Sequence, residues 1–100
     1  MNTFRILRDK ECPLEFEGVL LGEVSTRHHR HRWTELRVYR TRGGSYVAEE
    51  FGGTEVEHEQ HRTKAWACDI RQDVIDTLGD GPLALELYEV AGFNGVERVE

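Results

Sequence analysis

The stretch WTELRVYRTRGGSYVAEEF, Trp33 to Phe51, decides the fold. Its first nine residues are rich in β-branched and aromatic side chains. They place Leu36 and Val38 on one face of a strand and Trp33, Glu35, Arg37 and Tyr39 on the other. The last residues alternate again, with Tyr46, Ala48 and Glu50 opposed to Val47, Glu49 and Phe51 at the period of two that a strand requires. Between them Arg42-Gly43-Gly44 supplies residues that accept positive φ at little steric cost, so the stretch predicts a β-hairpin. The neighbouring acids Glu49 and Glu50 then fall on opposite faces.

Working outward, FEGVLLGEVST (residues 16–26) predicts a strand before the hairpin. Val19 and Leu21 oppose Leu20 and Val24, and Gly22 marks a bulge. On the other side, TEVEHEQ (residues 54–60) predicts a fourth strand, with Thr54, Val56 and His58 on one face and Glu55, Glu57 and Glu59 on a wet, acidic one. The segment TKAWACD (residues 63–69) either extends a strand or leads into a helix, with Trp66 expected to be buried.

The period then changes. Ile70, Val74, Ile75 and Leu78 form a helical stripe, with Asp69 as the expected N-cap, Gln72 three residues later and Gly79 past the end. After Asp80-Gly81-Pro82, the residues Leu83, Leu87, Val90 and Ala91 are spaced for a second helix stopped by Gly92. Leu83, Leu85 and Leu87 also alternate as in a strand, so the choice over residues 82–91 stays open, with Pro82 and Gly92 favouring helix. The tail FNGVERVE adds a last short strand or stays loose. The expected class is α+β: an antiparallel meander of about four strands followed by two C-terminal helices.

One hundred residues allow a single domain, 1–100, with a modest core. No apolar run exceeds about four residues against the ~20 needed to span a bilayer, and MNTFRILRDK lacks the apolar stretch of a signal peptide. These features predict an intracellular, cytoplasmic protein with no membrane partner. In a reducing compartment Cys12 and Cys68 are expected to be free thiols.

The net charge of −6 hides a division. Residues 1–50 are net +1 and residues 51–100 net −7, and within the first half residues 27–42 hold six arginines and three histidines against the single acid Glu35. Two oppositely charged surfaces are expected, which bear on encounter and partner choice rather than on fold. Arg27, Arg30, Arg32, Trp33, Arg37 and Tyr39 are candidate partner-binding residues, because Arg, Trp and Tyr are the types enriched at interface hot spots. Exposed Trp33 and Tyr39 on a sheet face would also allow a homodimer beside the monomer. On the acidic side, Glu55, Glu57 and Glu59 on alternate strand positions would stand about 6.5–7 Å apart, close to the spacing of phosphates along one nucleic-acid strand. Such a ladder suits a basic groove on another protein, or simply keeps the chain soluble.

Signals for chemistry are weak. His28 with His31 and His58 with His61 are three apart, a spacing that opposes side chains on a strand, and the first pair sits among arginines that repel a cation. Cys68 beside Trp66 suits a buried structural thiol rather than an activated nucleophile. The sequence holds no Gly-x-Gly-x-x-Gly, phosphate loop or serine elbow, so no enzyme, metal or cofactor is expected.

The residues Trp33, Thr34, Glu35, Tyr39, Thr41, Gly43, Gly44, Tyr46 and Val47, within FEGVLLGEVST and RWTELRVYRTRGGSYV, resemble a motif of small proteins from bacterial phages, plasmids and other mobile elements. The likeness covers about a third of the chain and brings no catalytic residues; the His/Arg segment 27–32 departs from it. The setting implies a protein that binds and blocks a host defence complex such as a CRISPR-Cas subunit, as anti-CRISPRs do, in the bacterial cytoplasm. The alternative from a different class is a small nucleic-acid-binding regulator using residues 27–42.

Overall fold

The computed structural model describes residues 1–26 and 31–93. Its elements run β1 (Asn2–Ile6), β2 (Leu14–Ser25), β3 (Arg32–Thr41), β4 (Tyr46–Thr54), β5 (Arg62–Cys68), α1 (Arg71–Leu78) and α2 (Pro82–Ala91). The class is α+β, with five antiparallel strands in the order β1-β2-β3-β4-β5 rather than four. The central hairpin pairs Val38 with Ala48 and Tyr39 with Val47, and its turn is closed by Thr41 N–H donating to Ser45 O at 2.9 Å, with Gly44 at φ 88°. Glu49 and Glu50 do fall on opposite faces, Glu49 beside Arg37 in register and Glu50 beside Leu36.

One expectation about elements needs correction, and two further strands go beyond what the periodicity settled. The acidic stretch 54–60 is not a strand. β4 ends at Thr54, opposite Arg32; Glu55 N–H still donates to His31 O at 2.7 Å, but the chain then turns at His58 (φ 76°). The last strand is instead Arg62–Cys68, which resolves the ambiguous segment around Trp66 as β. The N-terminal strand β1 has only Phe4 and Ile6 on its apolar face, too short a pattern to declare itself in the sequence.

The bulge falls where Gly22 suggested, between Leu20 and Gly22, and it changes which side chains share a face. Leu21 and Val24, expected on opposite faces, both pack into the helix-side core. At Gly22 the second helix lies so close that an added Cβ would sit 3.2 Å from Ala91 N.

α1 and α2 cover one face of the sheet, α1 against β4 and β5, α2 against β2 and β3. They bury a core of Val24, Leu36, Val38, Tyr46, Ala48, Cys68, Val74, Ala84, Leu87 and Tyr88. The Tyr88 hydroxyl donates to Gly79 O at 2.5 Å, which occupies a carbonyl at the end of α1 and ties the helices together. Two details of the helices differ from expectation. The N-cap of α1 is Ile70 without a side-chain cap bond, so Asp69 does not cap it. In α2, whose N1 proline and left-handed Gly92 bear out the helix, the buried face is Ala84, Leu87 and Tyr88, while Val90 is 55% exposed.

The sheet is strongly curled. In a flat sheet β1 and β5 would be four strand spacings apart, about 19 Å. Here the chain after β1 reaches β5: Asp9 N–H donates to Thr63 O at 3.1 Å, Thr63 N–H to Asp9 Oδ2 at 2.9 Å, and Arg8 Nη1 to Ala65 O at 3.3 Å. Gly18 supplies the close approach, since a Cβ there would meet Arg40 O at 2.3 Å. The β1–β2 hairpin thus folds over the face opposite the helices. Phe4 and Phe16 stack on each other and close on Tyr39 at ring-centroid distances of 4.8 and 5.2 Å, forming a second core with Ile6, Val47 and Ala65.

Candidate functional site

The folded-over hairpin covers only part of that face. Beside it lies an open groove of about 500 Å³, with Phe4, Arg5 and Ile6 of β1 and Leu7 just after it as one wall, Glu35, Arg37, Tyr39, Glu49 and Phe51 as the floor, and Thr63 opposite. The floor follows from strand register: Glu23, Arg37, Glu49 and Ala65 are neighbours across β2 to β5, and Glu35, Phe51 and Thr63 form the next row.

Arg37 is the centre of this floor. Its Nε donates to Glu23, its Nη2 to Glu35, and its Nη1 lies 3.7 Å from Glu49 Oε1. Burial works against its charge, but bonding to Glu23 and the fields of Glu49, Glu23 and Glu35 outweigh that cost and hold its pKa above the ordinary value. Glu35 also accepts from Trp33 Nε1 at 2.7 Å, and Glu49 Oε1 accepts the Tyr39 hydroxyl at 2.8 Å. Burial first, and the Glu49 carboxylate second, push the Tyr39 phenol far above its usual range. Phe51 also belongs to an aromatic cluster in which the Trp33 and His61 ring centroids lie 6.5 and 5.3 Å from its own.

The partner-binding residues read from the sequence are thus distributed as follows. Arg37 and Tyr39 sit together on the groove floor and half-buried Trp33 is bonded to Glu35 of that floor, but Tyr39 is only 6% exposed. The expected exposed Trp33/Tyr39 face for a homodimer is therefore absent. Arg32 grips Glu59 with two guanidinium nitrogens, Nε at 2.9 Å and Nη2 at 2.8 Å, and Glu59 is held below its usual pKa chiefly by that bond. Glu55 lies 3.6 Å from His31, and Glu57 is exposed. Because residues 55–61 form a loop, Glu55, Glu57 and Glu59 do not make the evenly spaced ladder a strand would give. Arg27 and Arg30 lie outside the described residues. Glu23, Glu35 and Glu49 are the site residues that sequence reasoning passed over. Glu35 shares the face of Arg37 by parity along β3, whereas Glu23 and Glu49 flank Arg37 across the sheet, a signal that exists only once the register is known.

Cys68 is buried and Cys12 exposed, both free. Burial, with Asp73 and Asp69 nearby, pushes the Cys68 thiol up, so it stays protonated and a poor nucleophile. Among the described residues no group of three or more His, Cys, Asp or Glu is arranged to hold a metal, and no helix is long and apolar enough to cross a membrane. The chain matches no known family model, no curated protein and no solved structure.

Proposed function

We propose that this chain is a non-enzymatic interaction protein of a phage or other mobile element, which binds a subunit of a bacterial nucleic-acid-targeting defence complex of the CRISPR-Cas type and blocks it by steric occlusion. The setting rests on the resemblance carried by Trp33 to Val47. The observation that carries the binding mode is the groove on the face the helices leave open, with a preorganised polar floor and an exposed apolar rim at Leu7, which is 67% exposed. The carboxylates on its floor are already engaged by Arg37, Tyr39 and Trp33, so the groove offers a shaped, charged surface rather than a free acid–base pair.

Direct nucleic-acid binding through residues 27–42 draws no comparable support. Of the arginines described there, Arg32, Arg37 and Arg42 are paired with carboxylates, and Arg40 lies 6.0 Å from the Tyr46 ring centroid.

The test is a plaque assay in bacteria whose CRISPR-Cas systems, of several types, restrict a targeted phage. Expression of the chain is expected to restore plaquing against at least one type, and the purified chain to co-elute with that purified complex. Plaquing unchanged across all types, with no co-elution, overturns the proposal.

A further inference from the structure

We propose that residues 7–13, the connection between β1 and β2, guard the outer edge of β5 and so keep a second copy of this chain from pairing with it strand to strand. The interface that the guard conceals is an antiparallel β5–β5 contact, and the inference is independent of the defence-complex reading above.

β5 ends the sheet and pairs with β4 on one side only. In an antiparallel pair, alternate residues turn both of their backbone groups to the same side. Thr63 turns both of its own to Asp9, so Thr63, Ala65 and Ala67 face outward while Arg62, Lys64, Trp66 and Cys68 face β4. Such an outward row is a template for another strand. Three bonds from the connection occupy its end at Thr63 and Ala65: Asp9 N–H to Thr63 O at 3.1 Å, Thr63 N–H to Asp9 Oδ2 at 2.9 Å, and Arg8 Nη1 to Ala65 O at 3.3 Å. The guard is also braced. The Arg8 side chain is only 14% exposed, its Nε donates to Cys12 O at 2.8 Å and its Nη1 lies 3.3 Å from Glu11 Oε2, so the guanidinium is fixed between the connection and the edge. The connection offers no new edge of its own, because it turns at Lys10 (φ 61°) and presents exposed Lys10 and Glu11 outward.

Uncovered, the β5 edge suits a second copy. In the antiparallel register centred on Ala65, Lys64 stands opposite the second copy's Trp66, so a lysine meets an indole rather than another lysine. The other edge strand, β1, is five residues long and carries exposed Asn2, Thr3 and Arg5, features that discourage pairing without a cover.

The test is sedimentation velocity over a range of concentrations, with folding checked by circular dichroism. The wild-type chain is expected to be monomeric. Arg8→Ala with Asp9→Ala removes the brace and the two side-chain bonds of the guard, and self-association should tighten about tenfold or more. Adding Ala67→Pro takes one outward N–H from the edge and leaves the β4 ladder intact, so it should return the variant to a monomer. A folded double variant no more associated than the wild-type chain, an association that survives Ala67→Pro, or a wild-type chain already dimeric through this edge each overturns the proposal. Should the double variant not fold, Asp9→Ala alone keeps the Arg8 bonds and carries the same comparison: it must associate more strongly than the wild-type chain and lose that gain with Ala67→Pro, or the proposal falls. Amide exchange reads the guard in the wild-type chain itself. The Thr63 amide, held by Asp9, should exchange about tenfold or more slowly than the outward amide of Ala67, and equal rates would show an edge left open.

Discussion

Gly53 has no room for a side chain: a Cβ there would meet the Trp33 indole at 2.1 Å, and that ring is held by its Nε1 bond to Glu35. Gly53→Ala must displace the indole or the backbone, and a destabilisation of about 1–3 kcal/mol is expected in urea unfolding. Gly52 is the control beside it, since its Cβ would find nothing closer than 3.9 Å. Gly52→Ala should leave stability unchanged or raise it by up to ~1 kcal/mol through the unfolded chain. Tyr39 gives a prediction in pH. Its folded pKa is raised by burial and by Glu49, so above about 10 the unfolded chain loses that proton while the folded one keeps it. Its contribution to stability is complete below the ordinary phenol value and is lost as pH rises from there toward the folded one. The urea midpoint should therefore fall with alkaline pH. Tyr39→Phe should flatten that fall in part, the remainder coming from the Tyr88 phenol and the Cys68 thiol, both of which burial also raises. A wild-type slope retained in Tyr39→Phe would contradict this account.

At the scale of elements, α2 separates what periodicity can and cannot tell. Pro82 and Gly92 set its ends, and Leu87 lies fully buried as the stripe predicted. Val90, on the same predicted stripe, is 55% exposed and meets the sheet only near Gly22, while Ala84 and Tyr88 face the core. A stripe defines an apolar sector, but how far the helix rotates within it depends on where the sheet ends and on how near Gly22 lets Ala91 approach. Leu87→Ala is expected to cost about 2–5 kcal/mol and Val90→Ala within ~0.5 kcal/mol, both read by chemical denaturation. A comparable cost at Val90 would show that it is covered in solution. The central hairpin was legible because both of its strands are long and their neighbours lie next to them in sequence. The alternation of Glu55, Val56, Glu57 and His58 misled because period two is necessary for a strand and not sufficient: past the Glu55 bond to His31 O the chain closes a turn, Glu59 N–H donating to Val56 O with His58 at positive φ. The Arg37 floor was half legible, since Trp33, Glu35, Arg37 and Tyr39 share a face by parity alone. Glu23 and Glu49 join them only through a register that the Leu20/Gly22 bulge resets.

Over the whole molecule, folding undoes the charge segregation of the sequence. Residues 32–42 of the basic segment form β3 and the start of its turn, and folding sets them among acids: Arg37 with Glu23 and Glu49, Arg42 with Glu17, and Arg32 with Glu59 of the loop after β4. Each of these pairs joins residues well separated in sequence, so a count along the chain cannot foresee them. The consequence is measurable as salt dependence. Each cation that neutralises a phosphate contributes a slope of about −0.7 for single strands and −0.9 for duplex in log affinity against log salt. If Arg32, Arg37 and Arg42 were all available, they would add about three such increments to whatever Arg27, Arg30 and Arg40 supply. With those three already paired, the increments should be missing, and labelled oligonucleotides followed by anisotropy at two salt concentrations should show weak binding with a shallow slope. Removing the partners provides the positive control. Glu17→Ala with Glu59→Ala frees Arg42 and Arg32, both exposed, and should steepen the slope by about two increments. A steep slope already present in the wild-type chain would mean that these ion pairs open readily to phosphate, and would return residues 27–42 to consideration as a nucleic-acid surface.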